Sequence, residues 1–192
     1  PLCWGVRVVY HNNPLDAARI GELCENKGVS LIMATPTFLQ AYIRKCTPEQ
    51  FHRLRLVITG AEKLRADVRN RFAEKFGIVP IEGYGCTELS PIVSVNMPES
   101  VTDLGTADGK SGSVGQAIPG VTVKVVDPQT GELLDEGEEG LLLVKGPNVM
   151  LGYLDDPERT AEVLQDGWYN TGDIVRIDRD GYITITGRRS RF

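Results

Sequence analysis

Histidine is nearly missing from this chain: His11 and His52 are the only two in 192 residues. The four cysteines, Cys3, Cys24, Cys46 and Cys86, share no C-x-x-C spacing, so the ligand density of a zinc site is lacking. Reduced thiols are the expectation, with Cys24 packed on a helix. No apolar run approaches the roughly 18 residues that cross a bilayer, and no secretory leader is visible. A cytoplasmic location is therefore expected. Basic clusters with interleaved aromatics are also lacking. With 21 Lys and Arg against 26 Asp and Glu, the net charge is −5, which argues against a nucleic-acid partner. Arg188, Arg189 and Arg191 form the one dense basic run. A Walker phosphate loop is missing too. In Gly105-Thr106-Ala107-Asp108-Gly109-Lys110-Ser111 the first glycine stands one residue too close for G-x-x-x-x-G-K-[ST]. Ser113-Val114-Gly115 then continues as strand, without the helix N-terminus that anion binding uses. An ordinary loop is expected there. The chain opens at Pro1 without an initiator Met and stops at Phe192 without a polar tail, so both ends read as cuts through a longer protein.

What is present has the balance of a soluble globular chain, 41% hydrophobic and 24% charged, long enough for one or two domains. The first half alternates strands and helices. Val6–Tyr10 is a β-branched run. A helix over Leu15–Glu25 ends at Asn26-Lys27-Gly28. Val29–Ala34 is a short apolar strand of the kind covered on both faces. Thr35 is placed to cap a helix that starts at Pro36 and runs through Phe38, Leu39, Tyr42 and Ile43. A further short helix opens at Thr47-Pro48-Glu49-Gln50. Leu54–Thr59 and Ile78–Glu82 are strands flanking a helix over Leu64–Phe76. Strands interleaved with helices imply a mostly parallel α/β sheet over residues 1–111. From near Gly112 the style changes. Val121–Val126, Gly140–Lys145, Asp173–Ile177 and Tyr182–Thr186 are strands joined by turns at Asp127-Pro128-Gln129-Thr130-Gly131 and Asp178-Arg179-Asp180-Gly181. Asp156-Pro157 caps a short helix ending near Leu164. Residues 112–192 are thus expected to be a smaller β-rich subdomain, a barrel or sandwich.

Tyr84-Gly85-Cys86-Thr87-Glu88 is the densest stretch of chemistry. A ring can stack on a base, a hydroxyl can meet a phosphate oxygen, and a carboxylate can hold Mg²⁺. As a lone pattern it is equally a strand-to-turn junction. Gly60-Ala61-Glu62 follows another buried strand, and in open α/β sheets ligands sit beyond the carboxyl ends of strands. The glycines of both turns permit close backbone approach to a flat ligand, although Gly60 alone is a simple turn. Gly167-Trp168-Tyr169-Asn170-Thr171-Gly172-Asp173 ends on a carboxylate that suits a ribose diol or, equally, a turn. Arg188 has the fork geometry for hydroxyls or phosphate or is a solvated charge.

In this order, Gly60-Ala61-Glu62, Tyr84–Glu88, Gly140–Leu154, Tyr169–Asp173 and Gly187-Arg188 resemble the adenylate-forming superfamily of acyl- and aryl-CoA ligases, luciferases and peptide-synthetase adenylation domains. Leu54–Phe76, Glu82–Gly85, Gly146–Met150 and Gly187–Phe192 are similar to bacterial acyl-[acyl-carrier-protein] synthetases, the ligase halves of enzymes that reacylate 2-acylglycerophosphoethanolamine. The resemblance implies a doubly wound domain leading into a distorted β-barrel that ends at an interdomain hinge. It implies that Tyr84 stacks on adenine, with Gly60, Ala61 and Glu62 as the other wall and Gly85 in the binding turn. Thr87 contacts the α-phosphate and Glu88 holds Mg²⁺. Asp173 binds the ribose hydroxyls, Ile185 packs beside the sugar, and Arg188 reaches ribose or phosphate. Cys86 fills a variable place and receives no role. The implied reaction uses ATP to adenylate a carboxylic acid, expected to be a long-chain fatty acid. It then passes the acyl group to a thiol, of acyl carrier protein or, alternatively, CoA. Any membrane association would come through other parts of the parent.

Two departures qualify the resemblance. The family's Ser/Thr/Gly-rich phosphate loop and its C-terminal lysine domain both lie outside this sequence, and Arg191 stands near the place of the usual hinge Asp or Lys. The fragment alone is therefore expected to bind nucleotide weakly and not to turn over. The competing readings are a peptide-synthetase adenylation domain and a non-catalytic nucleotide-binding module.

Overall fold

The computed structural model describes residues 5–98 and 109–189. The chain divides into two compact units, one of Pro1–Ile81 with Pro98–Asp108 and one of Glu82–Met97 with Gly109–Phe192. Cys3, the stretch Gly105–Asp108 and the hinge position Arg191 lie outside the described residues.

In the first unit, Val6–Tyr10 carries no strand. β-branched residues favour a pleated, partnered surface rather than an isolated extended chain, and here Val6 and Tyr10 are 57% and 78% exposed. Helix α1 (Ala17–Lys27) starts two residues later than its apolar pattern suggests, because the Asp16 side chain caps it by accepting from the Arg19 N–H. Gly28, at φ 61°, ends it by donating to the Cys24 and Glu25 carbonyls, the left-handed turn that glycine adopts without strain. Cys24 is buried on this helix, as expected. Strand β1 (Leu31–Ala34) leads into α2 (Pro36–Lys45), where the Thr35 hydroxyl accepts from the Phe38 N–H and Pro36 occupies the first turn. A 3-10 turn over Glu49–Phe51 follows. Strand β2 (Leu56–Thr59) then pairs parallel with β1, Leu31 opposite Leu56. Helix α3 (Ala66–Phe76) stops at Gly77, again left-handed at φ 70°. The core centres on Leu39, Tyr42, Phe51, Val57 and Phe72, and Phe76 packs against Phe51 and Phe72 at ring distances of 4.8 and 4.7 Å.

Strand β3 (Ile81–Gly85) lies later than the apolar run Ile78–Glu82 predicts. Pro80 has no N–H for a ladder, so pairing begins beyond it and takes Tyr84 and Gly85 into the strand. In the second unit β3 runs antiparallel to β4 (Ile92–Val95), which pairs with β5 (Gln116–Ala117). A second, curled antiparallel sheet contains β6 (Thr122–Val126), β7 (Glu139–Lys145), β9 (Trp168–Ile177) and β10 (Ile183–Arg188) in the order β10-β9-β7-β6. Helix α4 (Pro157–Val163) and the short β8 (Leu164–Gln165) precede β9, on which β8 pairs. The predicted turn at Asp127 forms, its carboxylate accepting from the N–H groups of Gln129 and Thr130. No helix follows Gly109–Gly112, which are turns and bends. Leu89, Val93, Leu142, Val144, Tyr169, Val175 and Ile183 form the core. The mixed α/β class therefore stands: a parallel pair with its helices, and a β-rich half-barrel.

Strand β10 carries one irregularity. Its ladder to β9 slips between Ile185, opposite Val175, and Gly187, opposite Ile174. Thr186 is the extra residue of this bulge, and Arg188 falls opposite Asp173. Among the described residues, no helix is long and apolar enough to cross a membrane.

Candidate functional site

Strand β3 carries Tyr84, and β9 carries Asp173. The Tyr84 hydroxyl donates to Oδ2 of Asp173 at 2.5 Å, joining residues 89 positions apart. Burial, then the Asp173 carboxylate, pushes the phenol well above its ordinary pKa, so Tyr84 stays a neutral donor. Asp173 is only 15% exposed and is held from two further sides. Its N–H donates to the Thr171 hydroxyl at 3.0 Å, and that hydroxyl donates to the Leu142 carbonyl at 3.0 Å. Across the bulged ladder, Nε of Arg188 stands 3.6 Å from Oδ1 of Asp173, with the Arg188 side chain 65% exposed. A pair so open to water contributes about 0–1 kcal/mol, so its guanidinium is free to take other partners. Ile185 sits at the edge of exposure on the same strand.

After β3 the chain tightens. Cys86 precedes a 3-10 turn over Thr87–Leu89, closed by Ser90 in a left-handed conformation. Thr87 is exposed, while Glu88 beside it is half-buried. Glu88 is gripped by a later segment: Met150 N–H donates to its carbonyl at 2.8 Å and the Tyr153 hydroxyl to its Oε1 at 2.9 Å. Burial pushes its carboxyl pKa up, but hydrogen bonds from its own N–H, Tyr153, Cys86 and Tyr169 outweigh that and hold it below the ordinary range. Glu88 is therefore an anion near neutral pH. Burial, then the neighbouring Glu88 carboxylate, raises the Cys86 thiol to about 11. Asn148 braces the same turn by donating to the Leu89 and Ile92 carbonyls at 3.0 and 2.9 Å.

Packing by itself requires glycine at position 85. A Cβ there would lie 1.8 Å from the Pro91 carbonyl oxygen, so only glycine lets the 86–91 turn fold back on β3. In the first unit, Gly60 is half-buried and Ala61 exposed at φ 68°. The exposed Glu62 accepts from the Thr37 hydroxyl at 2.8 Å.

Tyr84, Glu88, Asp173 and Arg188 thus belong to one compact unit with Thr87 and Ile185. Tyr153, Thr171 and Asn148 were not marked by their sequence pattern, although all three fall inside the segments that carry the family resemblance. No group of three or more His, Cys, Asp or Glu able to enclose a metal occurs among the described residues. A Mg²⁺ at Glu88 would have one protein carboxylate and would draw its remaining ligands from phosphate oxygens and water, a set that suits this ion. A separate cavity of about 430 Å³ on the outer face of β6, β7 and β9, lined by Lys124, Leu143 and Trp168, contains none of the predicted residues.

Residues 1–154 match the family described as AMP-binding enzyme. Among known proteins, the chain is 41% identical over 139 residues to the long-chain-fatty-acid–CoA ligase of Salmonella typhimurium, covering 72% of this chain and 23% of that protein. Among solved structures it is similar to ATP-bound MatB from Rhodopseudomonas palustris, with 36% identity, a TM-score of 0.77, and coverage of 90% of this chain and 33% of that one. It also resembles the anthranilate CoA ligase AuaEII in complex with anthranoyl-AMP, with 27% identity, a TM-score of 0.81, and coverage of 94% and 34%. The chain spans about a third or less of the length of these relatives.

Proposed function

Because the chain belongs to the AMP-binding enzyme family, we propose that it is the nucleotide-holding part of an ATP-dependent acid–thiol ligase. The observation that carries this reading is the hydrogen bond from Tyr84 to Asp173. It joins a ring and a carboxylate from distant motifs within the unit that also holds the ionised Glu88. In this reading the Tyr84 ring stacks on adenine and Asp173 accepts from the ribose hydroxyls. Ile185 packs beside the sugar, and the exposed Arg188 donates to ribose or phosphate. Thr87 donates to the α-phosphate, and Glu88 holds Mg²⁺, which when bound offsets negative charge on the phosphates.

A carboxylate oxygen of the acid attacks the α-phosphorus, the bond to the β-phosphate oxygen breaks, and pyrophosphate leaves an acyl-adenylate. A thiol then loses its proton and attacks the acyl carbon, releasing AMP. The contribution of this unit is orientation and electrostatic stabilisation: fixed donors and a fixed carboxylate around groups held in line. The acid is a carboxylic acid of the long-chain or aryl type, classes supported by the names of the relatives. Those names support CoA as the thiol acceptor. Acyl carrier protein, expected from the resemblance, has no such support.

The test is exchange of labelled pyrophosphate into ATP by the full-length protein, offered palmitate or an aryl acid. Acid-dependent exchange that Asp173→Ala abolishes is the expected result. No exchange with either acid ends the ligase reading. Mass spectrometry of the thioester formed with CoA or with holo carrier protein then identifies the acceptor.

A further inference from the structure

A carboxylate that holds a metal ion must be kept in one orientation, and for Glu88 part of that constraint comes from outside its own turn. The segment 150–153 holds Glu88 twice, through its backbone carbonyl by Met150 and through Oε1 by the Tyr153 hydroxyl. Tyr153 is itself fixed from the side of α4. Its N–H donates to the Thr160 hydroxyl at 2.9 Å, and that hydroxyl donates to the Asp156 carbonyl at 2.8 Å. The Arg159 guanidinium lies 4.7 Å from the centre of the Tyr153 ring. Gly152, at φ 152°, lets the backbone settle against Thr160, where a Cβ would come within 2.9 Å of the threonine methyl. A phenol anchored this firmly, and aimed at one oxygen of an ionised carboxylate, has the geometry of the outer partners that orient metal ligands.

We propose that Tyr153 is a positioning residue for the divalent cation: it fixes the Glu88 carboxylate before the metal–nucleotide complex arrives. The inference rests on Glu88 being the metal ligand, and its test separates the two. Tyr153→Phe removes one hydroxyl, keeps the ring beside Arg159 and leaves the Met150 hydrogen bond in place.

The full-length protein is titrated calorimetrically with an α,β-methylene ATP analogue, once in EDTA and once in Mg²⁺. The ratio of the two affinities is the metal enhancement. For Tyr153→Phe the enhancement should fall about tenfold with the EDTA affinity unchanged, and for Glu88→Gln it should vanish. Thr160→Val, which leaves Tyr153 whole, should lower it in the same direction and decides the matter if Tyr153→Phe does not fold. An undiminished enhancement in Tyr153→Phe beside its loss in Glu88→Gln overturns the inference alone. An equal loss in EDTA and Mg²⁺ for Tyr153→Phe also overturns it, since that is packing. An enhancement that survives Glu88→Gln overturns the assignment of Glu88 beneath it.

Discussion

The phenol of Tyr84 and the carboxylate of Asp173 share a 2.5 Å hydrogen bond within a half-buried setting. Hydrogen bonds to a charged partner contribute about 1.5–3 kcal/mol. Tyr84→Phe, which keeps the ring, should therefore destabilise the chain by roughly 1–3 kcal/mol, read by urea unfolding. A double-mutant cycle with Asp173→Ala, which removes the acceptor, should return a coupling of at least about 1 kcal/mol. Additive single effects would show that the two groups are neighbours without being partners.

Thr171 is 2% exposed and serves two backbone groups with one hydroxyl. Thr171→Val keeps the shape and strands both the Leu142 carbonyl and the Asp173 N–H. The expected cost is about 1–3 kcal/mol, together with weaker binding of AMP by the full-length protein, measured calorimetrically, because Asp173 loses its backbone anchor.

Gly85→Ala should do far more damage than its size suggests. The added methyl would overlap the Pro91 carbonyl oxygen at 1.8 Å, and backbone on both sides must move. Loss of the cooperative unfolding transition, or a destabilisation above about 4 kcal/mol, is expected. A near-native transition would mean that the 86–91 turn can be re-formed elsewhere.

The acidity of Glu88 gives a prediction with a definite sign. Its folded-state pKa lies below the ordinary carboxyl value, so its stabilising contribution is fully present above about pH 4.3. That contribution is lost as pH falls through the folded-state pKa. The stability gap between wild type and Glu88→Gln should stay constant from neutral pH down to that point and then narrow. A gap that widens on acidification would contradict the assignment.

At neutral pH the Cys86 thiol should be unreactive. It is pushed up to about 11 by burial and by Glu88, so alkylation by iodoacetamide, mapped by mass spectrometry, should accelerate about tenfold per pH unit with its thiolate fraction. Rapid labelling at neutral pH would contradict this burial of the thiol beside the carboxylate.

The helices were the most legible part of the sequence, since caps are local. Thr35-Pro36 and Lys27-Gly28 announce α2's start and α1's end through side chains and turns that need no distant partner. Strands were less legible. Val6–Tyr10 has the composition and lacks a ladder, whereas Tyr84 joins β3 because pairing starts beyond Pro80. At the site, residues whose chemistry is conspicuous in a motif, Tyr84, Glu88 and Asp173, could be picked out. Tyr153 and Thr171 could not, because a hydroxyl declares nothing until folding supplies its acceptor.

Ile185 and Arg188 stand three apart, an odd offset that would turn them to opposite sides of a regular strand. The bulge at Thr186 absorbs the mismatch, so both lie across from alternate residues of β9 on one side. It follows that this ribbon has a position where shortening preserves the register, at the cost of the Thr186 hydroxyl's hydrogen bond to the Ile174 carbonyl. Excising Thr186 would convert the slip into an unbroken ladder with the pairings of Ile185, Gly187 and Arg188 kept, while excising Thr184 would roll one end of the strand over relative to the other.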